Sequence, residues 1–271
     1  MKRALPPILI SLVLAGAALL TAKKGSPSRE SALPVLRVVQ QHQKQADRAL
    51  TKILPLTPDE ERRVGEAIDA RMRATPAGGL ILELGRQLAA SPNVRRFPRR
   101  YEFRVLPEAA MVNAFAIPGG FVYITGGLQR RFPATDPDAL LFVIGHEIGH
   151  VELGHCEDGY RTREWFKKVG LEPIGTVAGA LRGLAQLQFS EVQELEADAF
   201  AARLVDSVHR DPAAGLRALE LLGLTDAADR DTHRDPGRIA VEGLTDYFRT
   251  HPGSWERRNR LRREVARLRP R

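Results

Sequence analysis

The chain has 271 residues, of which 43% are hydrophobic and 27% are charged, the proportions of an ordinary globular protein with a sizeable core. The aromatic fraction of 6% favours helices over a β-sandwich or β-barrel, and the single cysteine, Cys156, excludes a disulfide-stapled scaffold. The net charge of +8 comes from basic residues spread along the chain without a nucleic-acid-binding motif, so we expect no nucleic-acid partner.

The first 22 residues have the pattern of an export signal. Two basic residues precede an apolar run, Ile8–Leu20, which is shorter than the roughly 20 residues that a membrane-spanning helix needs. Cleavage after Ala22 would place Leu20 where a small residue is preferred, so we expect residues 1–22 to be a signal peptide or an N-terminal anchor. The protein is then exported, to a bacterial periplasm or to a membrane facing it, and residues 23–56 form a linker and an N-terminal helix.

The remaining chain, residues 57–271, is predicted to form a mainly helical domain. Thr57 and Glu60 have the spacing of a capping box, which predicts a helix that continues to about Arg73. Later apolar periodicity predicts helices over Leu80–Ala90, Asp136–Gly154, Glu172–Leu187, Ser190–Val208, Pro212–Leu222 and Trp255–Leu268.

Strand signals are confined to one region between these helices. Alternating or β-branched runs over Tyr101–Leu106, Met111–Ile117 and Phe121–Thr125 predict three strands. The turn between the last two is predicted at Pro118-Gly119-Gly120. The fold class is therefore mainly α (α+β), a helical domain with one small sheet.

Residues 146–150 read HEIGH, in a predicted helix whose preceding residues are apolar. Positions four apart differ by only about 40° around a helix, so His146 and His150 can offer two imidazole nitrogens to one ion. Glu147 lies beside them, where it can reach a water in the remaining coordination position and act as a general base. The alternative is a buried helix with two hydrogen-bonded histidines and no metal.

A third ligand would define the type of metal site. A histidine six residues after His150 would indicate a metzincin, but position 156 is a cysteine. His155 is one position short, and Gly154 is predicted to end the helix. We therefore expect His155 to be a polar residue at a helix end, and a metzincin site is excluded.

A second acidic helix offers the ligand instead. Residues 191–198 read EVQELEAD, and Glu194 and Asp198, four apart, share one face of that helix. Glu194 can bind the ion, while Asp198 accepts the free N–H of a ligating histidine. Glu191 and Glu196 are predicted to be solvated. The residues together predict a gluzincin site that holds one Zn²⁺ per subunit.

Four blocks of the sequence, in the same order, resemble the metallopeptidase family of CAAX prenyl proteases, HtpX and BepA. The blocks are NAFAIPGGFVYITGGL from Asn113, HEIGHVELGH from His146, ELEAD from Glu194, and Thr250-His251-Pro252 followed by Arg257. The resemblance covers about Tyr101 to Leu261. Unlike the membrane-embedded members, this chain has no long apolar stretch after residue 22, so it resembles the small, exported branch of the family.

This resemblance implies a function and a role for each site residue. Zinc would be held by His146, His150 and Glu194, with Glu147 as the general base of peptide-bond hydrolysis. His251 would stabilise the oxyanion or block the resting zinc. The expected activity is that of a zinc-dependent endopeptidase acting on misfolded or membrane-associated envelope proteins. The alternative is a chaperone-like or assembly-factor protein that binds in the zinc groove with little turnover.

Three further expectations concern the partners of the protein. A strand edge within Asn113–Thr125 can pair with a protein or peptide substrate in extended form, which makes Asn113 a substrate-binding candidate. The basic helix Trp255–Leu268 is amphipathic, so it packs on the body of the protein and can contact a membrane surface. Cys156 is expected to be a structural thiol.

Overall fold

The computed structural model of the chain describes residues 56–157 except 71, 73 and 108, residues 189–224, residues 247 and 251, and residues 255–268. The chain divides into two compact units, and all the described residues belong to the unit of Leu56–Glu157 and Pro173–Arg271. The predicted leader, the linker segment before Leu56 and the helix predicted over Glu172–Leu187 lie outside the described residues. Within the described ranges, no helix is long and apolar enough to cross a bilayer.

The predicted mainly helical fold with one small sheet is confirmed. In the part of the chain that the structure describes, the elements are α1 (Pro58–Asp69), β1 (Thr75–Pro76), α2 (Gly79–Ala89), β2 (Glu102–Leu106), β3 (Ala114–Ile117), β4 (Phe121–Thr125), α3 (Gly126–Arg131), α4 (Pro137–Glu152), α5 (Glu191–Ser207), α6 (Ala214–Leu221) and α7 (Trp255–Leu268). The short elements β1 and α3 were not predicted from the sequence.

The four strands form one sheet in the order β1-β2-β4-β3. Strands β3 and β4 form the predicted hairpin, and its turn uses Gly119 and Gly120, both at φ +86°, a conformation that favours glycine. Strand β2 pairs in parallel with β4, while β1 is antiparallel to β2. This order leaves β3 at one edge of the sheet, next to α4.

Helix α4 forms the centre of the core. Every residue from Ala139 to Val151 is buried, and the helix contacts α2, α5, α6 and strand β3. Helix α7 packs on α5 and buries Leu261 and Val265, as expected for the predicted amphipathic helix. The HEIGH segment is therefore held in a water-poor interior by apolar packing on several sides.

Helix α1 begins at the predicted capping box and joins the sheet at its other end. Thr57 N donates to Glu60 Oε2 at 2.8 Å, and Glu60 N donates back to Thr57 Oγ1 at 3.3 Å. At the last residue, the Asp69 carboxylate accepts hydrogen bonds from Arg104 and Tyr123. Although partial burial opposes it, these hydrogen bonds hold the pKa of Asp69 below its ordinary value.

Asp69→Asn is expected to lower the free energy of unfolding at neutral pH by up to about 1 kcal/mol, because the ion pair with Arg104 is partly exposed. The folded-state pKa lies below the unfolded value of about 3.9, so the stabilisation is present above that pH and is lost as the pH falls through the folded value. Urea unfolding should show a difference from wild type that shrinks in acid. Asp59→Asn, exposed on the same helix, is the control, and a pH-independent difference would contradict this assignment.

Candidate metal centre

Small residues allow α4 and α5 to approach each other closely. A Cβ on Gly149 would lie 3.3 Å from the carbonyl oxygen of Ala197 and 3.2 Å from a ring carbon of Phe200. One turn earlier, a Cβ on Gly145 would lie 3.6 Å from that of Ala201, an ordinary van der Waals contact. The close approach brings the acidic face of α5 up to the histidines of α4.

Gly149→Val is expected to destabilise the protein by about 1–3 kcal/mol, because the larger side chain must push α5 away from α4. The same displacement should weaken metal binding. Gly145→Ala, on the same helix, is expected to leave the melting temperature unchanged or raise it, since alanine is the better helix former by up to about 1 kcal/mol. Thermal unfolding compares the two variants. Equal melting temperatures would show that the contact at Gly149 does not restrict how closely α4 and α5 can approach.

Four buried residues each offer one ligand atom within a cluster 4.8 Å across: His146, His150, Glu194 and His251. The Nε2 atoms of His146 and His150 are 3.0 Å apart; Glu194 Oε2 lies 3.4 Å from the first, and Glu194 Oε1 lies 3.4 Å from the second. Ligand atoms around a tetrahedral Zn²⁺ with bonds of about 2.0–2.1 Å are about 3.4 Å apart. The donor types and their spacing therefore fit zinc, and the structure brings together the three residues predicted as ligands.

Asp198 lies behind this cluster, on the side of His146 away from the other ligands. Its Oδ1 atom is 2.9 Å from His146 Nδ1, the ring nitrogen that does not face the cluster. Contact with Asp198 and Glu194 outweighs the effect of burial and raises the pKa of His146 to about 9. Asp198 thus occupies the outer position that the sequence predicted for it.

Arg257 is a fully buried arginine that binds both carboxylates of α5. Its Nε and Nη2 atoms donate to the two oxygens of Asp198, each at 2.8 Å, and its Nη1 atom lies 2.7 Å from Glu194 Oε2. Although burial alone would raise them, the pKa of Glu194 and that of Asp198 are held below their ordinary values by this guanidinium. Arg257 therefore keeps both groups ionised.

The role of Arg257 was not predicted from the sequence, although a signal for it exists. Arg257, Leu261 and Val265 are four residues apart and share one face of α7. An arginine that continues an apolar stripe is a candidate for burial, and a buried arginine requires an acidic partner.

Burial disfavours the charged forms of both Glu147 and His150. Burial lowers the pKa of His150 well below its ordinary value, so its imidazole is neutral and can bind a metal. Burial raises the pKa of Glu147, and neither of its oxygens makes a hydrogen bond within the described part of the chain. The Nε2 atom of His251 lies 3.5 Å from Glu147 Oε1. Glu147 is therefore a buried carboxyl group beside the cluster, and its role as a general base stays a prediction.

His251 contacts the ligand cluster and the sheet at the same time. Its Nδ1 atom is 3.3 Å from His146 Nε2 and 3.1 Å from Glu194 Oε1, and its Nε2 atom is 3.3 Å from the carbonyl oxygen of Ala114. The ring of Tyr247 stacks on it at a centroid distance of 4.4 Å. This position is compatible with both predicted roles, which stay predictions.

Asn113 immediately precedes the edge strand β3 and is buried. Its carbonyl oxygen accepts a hydrogen bond from Thr125 N at 3.0 Å, which makes these two residues a hydrogen-bonded pair. Because such pairs alternate along antiparallel strands, the carbonyls of Ala114 and Ala116 point away from β4, to the outer edge of the sheet.

The outer edge of β3 faces the candidate site. There the carbonyl oxygen of Ala114 lies near His251, and that of Ala116 is 3.6 Å from the Cys156 thiol, which is buried. In this structure, two side chains therefore contact the backbone groups that an added substrate strand would use.

Comparison with known proteins agrees with this geometry. The sequence pattern of Peptidase family M48 matches residues 80–162 and 159–265, which is more than half of the chain. The chain belongs to peptidase family M48. The predicted resemblance is confirmed, and membership of this family supports a metalloprotease hydrolase.

Three similar proteins are named as metalloproteases. The chain is 28% identical over 189 residues to the metalloprotease LoiP of Escherichia coli K12, covering 66% of this chain and 67% of LoiP. It is 25% identical over 181 residues to the metalloprotease YcaL of the same organism, covering 66% of each. It is 29% identical over 159 residues to the mitochondrial metalloendopeptidase OMA1 of Arabidopsis thaliana, covering 56% of this chain but only 29% of OMA1. The matched region thus spans about two thirds of the bacterial proteins and less than a third of OMA1.

Proposed function

We propose that this member of family M48 is a zinc-dependent endopeptidase that hydrolyses peptide bonds in envelope proteins. The observation that carries the proposal is the buried cluster of His146, His150 and Glu194, with the Glu147 carboxylate beside it. Nitrogen and oxygen donors in this number are typical of catalytic zinc sites. The names of LoiP and YcaL support the same class of activity.

The residues of the chain divide the chemistry among them. When bound, zinc supplies a Lewis acid that polarises the scissile carbonyl and lowers the pKa of water. Glu147 accepts the proton of the attacking water and delivers it to the leaving amine. The raised pKa of Glu147 suits this exchange, because the carboxyl group must both take up and release a proton near neutral pH. The buried position of the cluster excludes competing water.

We propose that the substrate binds as an added strand along the outer edge of β3. The carbonyl groups of Ala114 and Ala116 would accept its backbone N–H groups, and Asn113 marks the start of this edge. The contacts of these carbonyls with His251 and Cys156 must then be replaced by contacts with the substrate. Recognition through the backbone requires the substrate to be extended but depends little on its sequence, as expected for an enzyme that acts on misfolded proteins.

The place of action is also a proposal. The leader pattern in residues 1–22 supports export to the periplasm or retention as a membrane anchor. Helix α7 supports contact with an anionic membrane surface, because several of its arginines are exposed, namely Arg260, Arg262, Arg263 and Arg267. Such contact would bring the site close to membrane-associated substrates.

Cleavage of casein by the purified full-length chain tests the activity. We expect cleavage that stops when a zinc chelator is added and returns when Zn²⁺ is restored, because the proposed mechanism depends on the metal as a Lewis acid. Cleavage that continues in excess chelator would show a different mechanism. A zinc-loaded protein that leaves casein and unfolded envelope proteins intact would favour the binding function instead.

Metal analysis tests the ligand set independently of activity. His146→Ala and Glu194→Ala are each expected to lose stoichiometric zinc, because removing either leaves too few donors for a catalytic zinc site. Glu191→Ala, at the exposed start of the same helix as Glu194, is the control and should retain the metal. Retained zinc in Glu194→Ala would mean that another residue, with His251 the nearest candidate, completes the site.

A further inference from the structure

The two histidines of HEIGH have different partners behind them. In both rings, Nε2 belongs to the ligand cluster and Nδ1 is directed away from it. The Nδ1 atom of His146 meets a carboxylate, that of Asp198. The Nδ1 atom of His150 instead lies 3.0 Å from Nδ1 of His155, a second imidazole that is itself buried. The group that directly contacts the outer nitrogen of His150 is therefore an imidazole and not a carboxylate.

The second imidazole continues to an acidic residue. The Nε2 atom of His155 lies 3.2 Å from Oε2 of Glu196, whose side chain is 47% exposed. Glu196 is on α5, two residues after Glu194, so the contact joins the same two helices as the ligand cluster. A carboxylate near the surface is thus connected to His150 by two consecutive hydrogen bonds.

The proton positions along this path follow from the role of His150. A ring that binds a metal through Nε2 carries its proton on Nδ1, and this N–H can donate to His155 Nδ1. A neutral His155 that accepts at Nδ1 carries its own proton on Nε2, and donates it to Glu196. Each of the two bonds then has one donor and one acceptor, and the tautomer of His150 is determined by the carboxylate of Glu196.

The local fold explains how a histidine five residues after His150 reaches it. Helix α4 ends at Glu152, and Gly154, at φ +75°, reverses the chain in a conformation that favours glycine. The reversal carries His155 back beneath the last turn. The face of the His150 ring stacks on Phe189 at a centroid distance of 3.6 Å. The ring is therefore restrained by Phe189 at its face and by His155 at its edge.

We propose that His155 and Glu196 are positioning residues, which hold His150 in the tautomer and orientation that bind the metal. This inference deepens the proposed function and rests on it, since the metal site is the same. Outer partners of ligating histidines are typically worth about 10–100-fold in metal affinity. From the sequence alone, His155 is predicted to be a polar residue at a helix end and Glu196 to be solvated, so neither is assigned to the site.

The test measures the affinity of the full-length protein for Zn²⁺ by competition with a chelating dye. His155→Leu and His155→Gln fill a similar volume, but only glutamine can accept a hydrogen bond from His150. We expect the leucine variant to bind Zn²⁺ about 10–100-fold more weakly and the glutamine variant to recover part of that loss. The absorption spectrum of the Co²⁺-substituted protein should shift in the leucine variant, because the geometry around the ion changes. Equal affinities for the two variants, whether normal or reduced, would overturn the proposal.

A substitution of Glu196, which is exposed, tests the same proposal even if the leucine variant does not fold. Glu196→Gln is expected to weaken Zn²⁺ binding several-fold, whereas Glu191→Gln, exposed on the same helix, should bind as wild type does. No difference between these two variants would also overturn the proposal. Because the readout is metal affinity, a wild-type protein that binds zinc but cleaves no peptide would count against the proposed function and leave the positioning role standing.

Discussion

Glu147→Gln is expected to reduce peptide hydrolysis by about 10²–10⁴-fold, the largest effect of any single substitution that leaves the ligands intact. An amide cannot accept the proton of the attacking water, so the step has no base. Zinc content should remain that of the wild type, because Glu147 is not part of the ligand cluster. Casein cleavage and metal analysis on the same samples separate these two expectations.

Although Glu147→Gln should lose activity, it should not lose stability. Burial raises the pKa of Glu147, so near neutral pH the folded protein disfavours its ionised form and a neutral amide avoids that cost. We expect Glu147→Gln to melt at the same temperature as the wild type or above it. Glu83→Gln, exposed on α2, controls for the loss of one negative charge. Cleavage at the wild-type rate by Glu147→Gln would remove the peptidase mechanism from consideration.

Arg257→Met is expected to cost about 3–5 kcal/mol of folding free energy, because it leaves two buried carboxylates without their cation. Asp198 would lose both of its hydrogen bonds from the guanidinium, and Glu194 would lose its ion pair. Methionine fills much of the same volume, so the loss reports charge rather than a cavity. Urea unfolding of the variant and the wild type measures it.

The adjacent residue supplies the control for this substitution. Arg258 is also buried, but its Nη2 atom pairs with Glu220, whose side chain is 51% exposed and can be solvated without its partner. Arg258→Met should therefore cost about 1 kcal/mol. Similar losses of folding free energy in the two variants would mean that the contacts of Arg257 with Asp198 and Glu194 contribute no more than a surface ion pair.

The cluster of candidate ligands could be predicted because the spacing of its residues follows the period of a helix. His146 and His150 share a face whatever the rest of the fold does, and the same argument pairs Glu194 with Asp198. The residues behind the ligands follow no such period. His155 reaches His150 only through the reversal at Gly154, which depends on backbone conformation rather than on residue spacing.

The pairing of distant strands could not be predicted from the sequence for a related reason. Strands β2, β3 and β4 were predicted from local alternation, but the parallel pairing of β2 with β4 depends on contacts between segments that are not adjacent in the chain. Strand β1 has two residues, one of them Pro76, and no local signal marks it. The predicted helix to Arg73 ends earlier, at Asp69, because the chain turns to pair Thr75 with Val105.

The distance along the chain between His146 and His251, 105 residues, has a consequence for biosynthesis. Contacts between segments so far apart form late in folding, after the loop between them has closed. The candidate metal centre is therefore incomplete in a nascent chain, because its three predicted ligands come together only when α5 has docked on α4. The peptidase proposed above would accordingly be inactive until these distant segments of its own chain have packed together.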